Sequence, residues 1–136
     1  NPIFPGVKDV LDYLVQLNIS IAIATSKPTF IAQAVIENSE LSSYPIRVQG
    51  TDNFPAKPAP DVIQKVLESF LDCKAVMVGD RIEDILAARA AGINSIGIAA
   101  SAHSQADLKL NGAREAFLNF SDFSIALRTG SFELFK

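Results

Sequence analysis

The chain has 136 residues, 49% of them hydrophobic and 20% charged, with a net charge of −3 at neutral pH. That length suits a single domain with a real core, and the composition excludes a disordered chain. No run of Lys or Arg recommends nucleic acid or an anionic membrane as a partner, and no apolar stretch reaches the ~20 residues of a transmembrane helix.

The single cysteine, Cys73, excludes an internal disulfide and suits a reducing, cytoplasmic setting. It is expected to be a half-buried structural thiol, and the lone His103 an exposed loop residue. The chain opens at Asn1 rather than Met and is deep in folded-looking sequence by Val7, which reads as a processed or cut product.

In chain order, Pro5-Gly6 introduces a helix in which Val7, Val10, Leu11, Leu14 and Val15 form one apolar face, ending near Asn18. Ile19 to Ala24 is a short β-branched run predicted to be a strand, and it stops at Thr25-Ser26-Lys27-Pro28. Pro28 suits a helix start, followed by Phe30, Ile31, Ala34 and Val35 at helical spacing. Ile46 to Gln49 is a weaker strand candidate that enters the loop Gly50 to Pro60. Prolines on either side of Lys57 restrict that loop, so the lysine is expected to be held in place. Pro60 opens a helix with Val62, Ile63, Val66, Leu67 and Phe70 facing inward.

Ala75 to Val78 is apolar and Val-rich, as a strand buried on both faces would be, and it runs into Gly79-Asp80. From Glu83 the spacing turns helical through Ile85, Leu86, Ala88 and Arg89, up to Gly92, a residue suited to a left-handed helix stop. Ser95 to Ala100 predicts another strand and Asp107 to Asn111 a short helix. Phe117, Phe120, Phe123, Leu127 and Phe132 in the tail form an aromatic packing cluster.

Strands alternating with helices over short connections indicate an α/β domain with a largely parallel sheet. Ligands of such sheets bind outside the carboxyl ends of the strands. Thr25, Ser26, Asp80 and Asp84 all belong at that edge, and Lys57 lies in a loop able to reach it. Carboxylates at a strand tip suit a hard cation such as Mg²⁺, and hydroxyls with an ammonium suit a phosphate. The plain alternative is that Asp80 caps a helix while Glu83 and Asp84 are acidic first-turn residues.

The segments IAIATSKP at 21–28, AKPAPD at 56–61 and VMVGDRIEDILAARAAGI at 76–93 resemble, in order and spacing, the second, third and fourth motifs of haloacid dehalogenase-like (HAD) hydrolases. The likeness is to the phosphoglycolate phosphatase-like branch. FPGV near the start is similar to the segment that resumes the core after that branch's cap. The resemblance implies a three-layer Rossmann-like parallel sheet with helices on both faces, and one partial core domain over 1–136. It also implies a Mg²⁺-dependent hydrolysis of a small phosphorylated metabolite. Thr25 would bond the transferring phosphoryl group with Ser26 beside it. Lys57 would neutralise its charge and orient the nucleophile, while Asp80 and Asp84 would hold Mg²⁺, directly or through water. Arg81 stands where many members of the branch carry a small hydroxyl residue.

The family's first motif, a strand followed by Asp-x-Asp-Gly-Thr that supplies the attacking aspartate through which an aspartyl-phosphate forms, has no counterpart here. Its strand would lie between those ending at Thr25 and Asp80, so the sheet is expected to be incomplete at its centre. Strands pair at about 4.8 Å, so one absent strand leaves roughly 10 Å between two unpaired edges. Self-association through those edges is one expectation. A C-terminal core of a longer phosphatase is the leading functional expectation, with a nucleophile-less domain that binds phosphate or a protein partner as the alternative. A flavodoxin- or receiver-like domain would share the architecture but would not explain the Ser-Lys-Pro turn or the constrained Lys57.

Overall fold

A computed structural model describes residues 3–136; Asn1, and with it the reading placed on the chain's first residue, lies outside them. The elements in chain order are α1 (Val7–Gln16), β1 (Ile21–Ala24), α2 (Thr29–Glu37), β2 (Ile46–Gln49), α3 (Asp61–Leu67), β3 (Val76–Gly79), α4 (Ile82–Ala90), β4 (Asn94–Ile98), α5 (Gln105–Leu110), β5 (Glu115–Phe117) and α6 (Phe120–Thr129). Every strand pairing is parallel, which follows from a helix intervening between each strand and the next.

The sheet is split. β1 pairs only with β2, in register Ile21 to Ile46, while β3, β4 and β5 form a separate three-stranded sheet with β4 in the middle. Among the described residues, the inner edges of β1 and β3 have no strand partner. Between them lies an apolar cavity of about 590 Å³ that reaches Ile21 and Ile23 of β1, Val76 and Val78 of β3, Leu11 of α1 and Phe123 of α6.

Helices hold the two half-sheets together from both faces. On one face, Val62 and Ile63 of α3 pack with Ala87 and Ala88 of α4, and Ala24 of β1 and Met77 of β3 lie against them. On the other, Val10 of α1 meets Phe123 and Leu127 of α6 over Ile96 and Ile98 of β4. Tyr44, just before β2, donates its hydroxyl to Asp12 of α1 at 2.6 Å, which pushes the phenol up to about 12.

The expectation of full burial for the strand after Ala75 is corrected by this split. β4, flanked on both sides, buries Ser95 to Ile98, whereas Val76, Met77 and Val78 of β3 are only half-buried. Each strand beside the cavity lacks one neighbour, so its side chains lack the contacts that would cover them. Two further expectations also change. Cys73 is exposed rather than half-buried, because it sits in the turn after α3. His103 is half-buried rather than exposed, tucked into the loop between β4 and α5. β5 and α6 are elements where only an aromatic cluster was expected. The cluster itself is packing: Phe117 lies 5.2 Å from Phe123 and 5.4 Å from Phe132, ring centre to ring centre.

Candidate functional site

The carboxyl ends of β1 and β3 meet at Lys57. The Lys57 ammonium donates to the carbonyl of Ala24, the last residue of β1, at 3.0 Å and pairs with Asp84 Oδ1 at 2.5 Å. Both side chains are nearly buried, at 12% and 8% exposure. A charge withdrawn this far from water needs a close partner, and each provides one for the other. Lys57 therefore ties the two half-sheets together at the end where a ligand of an open α/β sheet binds.

Asp84 sits in the first turn of α4, where the helix dipole favours a carboxylate. Its second oxygen, Oδ2, accepts the backbone N–H of Arg81 at 3.3 Å. Both oxygens are thus engaged. The position exists because Gly79, at the end of β3, has no side chain: a Cβ there would lie 2.4 Å from Asp84 Cβ and 2.7 Å from its Oδ2. We expect Gly79→Ala to displace Asp84 and free Lys57, costing about 1–3 kcal/mol in unfolding free energy, the range for overpacking a tight contact. Denaturant titration checks this, and an unchanged midpoint would show that α4 shifts without cost.

Asp80 differs from its neighbour. It follows β3 directly and is half-buried, and its carboxylate accepts no hydrogen bond from any described residue. Its backbone carbonyl is fixed by the hydroxyl of Ser101, at 2.9 Å. Among the described residues no group of three or more His, Cys, Asp or Glu side chains could surround a metal ion. Mg²⁺ nonetheless needs only one or two carboxylates, filling its other positions with water and phosphate oxygens. Asp80 has the donor chemistry and the free lone pairs for that ion. Asp84, committed to Lys57 and Arg81, fits it through water.

Thr25 follows β1 and is half-buried, its backbone N–H held by Gln49 at 3.1 Å and its Oγ1 accepting the Lys27 N–H at 3.3 Å. Ser26 is exposed beside it. Arg81 is exposed and Glu83 half-buried, and their side chains lie 3.7 Å apart at the same end of the molecule. The structure therefore brings Thr25, Ser26, Lys57, Asp80 and Asp84 to one end of the two half-sheets. Sequence reasoning missed Thr29, Thr51 and Asp52, which brace the turn at Thr25 to Pro28. The available signal was Pro28 itself, which starts α2 without a side chain able to cap it.

Residues 2–98 match the profile of a family described as haloacid dehalogenase-like hydrolase. The phosphoglycolate phosphatase of Photobacterium profundum is 36% identical over 99 residues, which is 71% of this chain and 43% of that protein. That of Agrobacterium fabrum is 36% identical over 98 residues, 70% of this chain and 42% of the relative. The chain thus spans less than half the length of these relatives. Among solved structures, a predicted phosphatase from Clostridium acetobutylicum superposes with a TM-score of 0.80 at 28% identity, covering 92% of this chain and 59% of the other. A hydrolase from Pseudomonas syringae, at 23% identity and a TM-score of 0.77 over 92% of this chain and 61% of its own, shares the fold.

Proposed function

Because the chain belongs to the haloacid dehalogenase-like hydrolase family, we propose that it is the carboxyl-terminal core of a Mg²⁺-dependent phosphomonoester hydrolase. It would act on a small phosphorylated metabolite, with the attacking aspartate supplied by a segment outside these 136 residues. The observation that carries this reading is Lys57, paired with Asp84 and bonded to the end of β1, at the same end of the half-sheets as Asp80, which follows β3. Phosphoryl transfer depends on positioning and on stabilising charge spread over the phosphate oxygens, and this is the set of groups that such a task requires.

In the reaction, a carboxylate oxygen attacks phosphorus and the ester P–O bond breaks, the alcohol leaving with a proton. Water then attacks the resulting acyl phosphate, releasing inorganic phosphate and restoring the carboxylate. Thr25 and Ser26 hydroxyls bond the phosphoryl oxygens, and the Lys57 ammonium neutralises them. Asp84 aims Lys57. Asp80 holds Mg²⁺, which when bound offsets charge on the same oxygens. Phosphoglycolate is the substrate in the names of the sequence relatives, and it is a proposal for this chain.

The binding half of this proposal is testable on the chain alone. Calorimetry is expected to show Mg²⁺ and inorganic phosphate binding together, with Asp80→Asn abolishing the metal's effect and Lys57→Ala that of phosphate. Binding insensitive to both substitutions would place the ligands elsewhere and sink the reading.

A further inference from the structure

We propose that Asp52 is a positioning residue for the Thr25–Pro28 turn, acting through Thr29; the inference rests on the phosphoryl-binding role just assigned to Thr25 and Ser26. The first N–H groups of a helix need partners, and Pro28, at the start of α2, has no side chain that can supply one. The partner comes from 23 residues away: Asp52 Oδ1 accepts the Thr29 backbone N–H at 2.9 Å, and Oδ2 accepts the Thr29 hydroxyl. The same hydroxyl oxygen accepts the N–H of Gly50 at 2.9 Å.

Thr51 completes the clamp. Its N–H donates to the carbonyl of Lys27 at 2.8 Å, and its hydroxyl donates to the carbonyl of Thr25 at 2.9 Å. The carbonyls on both sides of Ser26 are thereby fixed by one short segment. The approach is so close that only glycine fits at position 50, where a Cβ would stand 2.2 Å from the Thr29 nitrogen and 2.4 Å from the Lys27 oxygen. Asp52 itself does not serve the core, since it is exposed. Its carboxyl is held below the usual carboxylate range, first by the Thr29 hydroxyl and then by the Thr29 N–H. The carboxylate also occupies the positive end of α2, so an incoming phosphate is directed to Thr25, Ser26 and Lys57 rather than to that helix end.

A cap that merely stabilises α2 and a clamp that shapes the turn make different predictions. Inorganic phosphate affinity is measured calorimetrically in the presence of Mg²⁺ for the chain, Asp52→Ala, Asp52→Asn and, as a control, Ser104→Ala. Ser104 caps α5 by accepting the N–H of Asp107 and lies outside the clamp. Asp52→Ala is expected to weaken phosphate about 10-fold, as a small misplacement of binding groups does, while Asp52→Asn, which keeps an acceptor for Thr29, restores most of the affinity. Ser104→Ala should lower stability without changing phosphate affinity. Equal affinity in Asp52→Ala and the parent chain would overturn the proposal. If the parent chain binds no phosphate, the functional reading fails. The amides then decide separately: Ser26 and Lys27 resonances must move and exchange faster in Asp52→Ala, and unmoved resonances reject the clamp.

Discussion

Asp84→Ala is expected to lower the unfolding free energy by about 3 kcal/mol, whereas Asp80→Ala should change it by less than about 0.5 kcal/mol. The two carboxylates lie four residues apart, yet their environments are opposite. Asp84 is nearly buried, and removing it leaves the Lys57 ammonium with the Ala24 carbonyl as its one hydrogen-bond partner among the described residues. An uncompensated charge in that position cannot return to water without unpicking the contact between the half-sheets. Asp80 has no such bond to lose, so its carboxylate is free for a ligand. Urea midpoints of the two variants measure the difference. Replacing both members of the pair, in Lys57→Met with Asp84→Leu, should recover most of the loss, because the cost arises from the orphaned charge. Similar losses for Asp80→Ala and Asp84→Ala would mean that the pair does not organise this end of the molecule.

The second large effect concerns the cavity between β1 and β3. A chain extended upstream so that an apolar strand fills it should gain several kcal/mol, since burying even two side chains of Ile or Val size contributes about 3–6 kcal/mol. The inner-edge amides of Ile21–Ala24 and Val76–Gly79 should exchange rapidly in the present chain and become protected in the extended one. Unchanged exchange would show that the cavity is not where the strand goes. Both edges are also templates for unwanted pairing, so the present chain should self-associate at concentrations where the extended one does not.

Most of the fold was legible because its signals are local. The strand, acidic loop and helix from Val76 to Ala90 follow from a Val-rich run and a change to helical spacing, and Gly92 adopts the left-handed φ of +79° that its position suggested. The split sheet was legible as the absence of the family's first motif, whose strand the resemblance places in the sheet between those ending at Thr25 and Asp80. α6 is masked in the sequence by Phe120 and Phe123, which read as part of an aromatic packing cluster rather than as helical spacing. Its ends are nonetheless marked: the Asn119 side chain accepts the Asp122 N–H at 2.8 Å, and Gly130 closes the helix at φ +76°. β5 has only three residues, too few for an alternating pattern to register. Residue type alone carried no information on the exposure of Cys73, in the turn after α3, or on the partial burial of His103, in the loop between β4 and α5.

The candidate site was legible as residue types and illegible as pairings. Nothing in the sequence says that Lys57 bonds Asp84, 27 positions away, nor that Asp52 reaches Thr29 across 23. The first contact forms because β1 and β3 bring their carboxyl ends to one place, and the second because β1 and β2 pair in parallel and end side by side. Those contacts divide two similar carboxylates into one that holds a lysine and one left free.

The most direct test of the account is Mg²⁺-dependent phosphate release from p-nitrophenyl phosphate and phosphoglycolate by the upstream-extended chain, beside the present chain and the extended Asp80→Asn variant. The account predicts turnover by the extended chain alone, lost in Asp80→Asn. Turnover by the 136-residue chain that Asp80→Asn abolishes would contradict it, because a carboxylate within this sequence would then be the nucleophile.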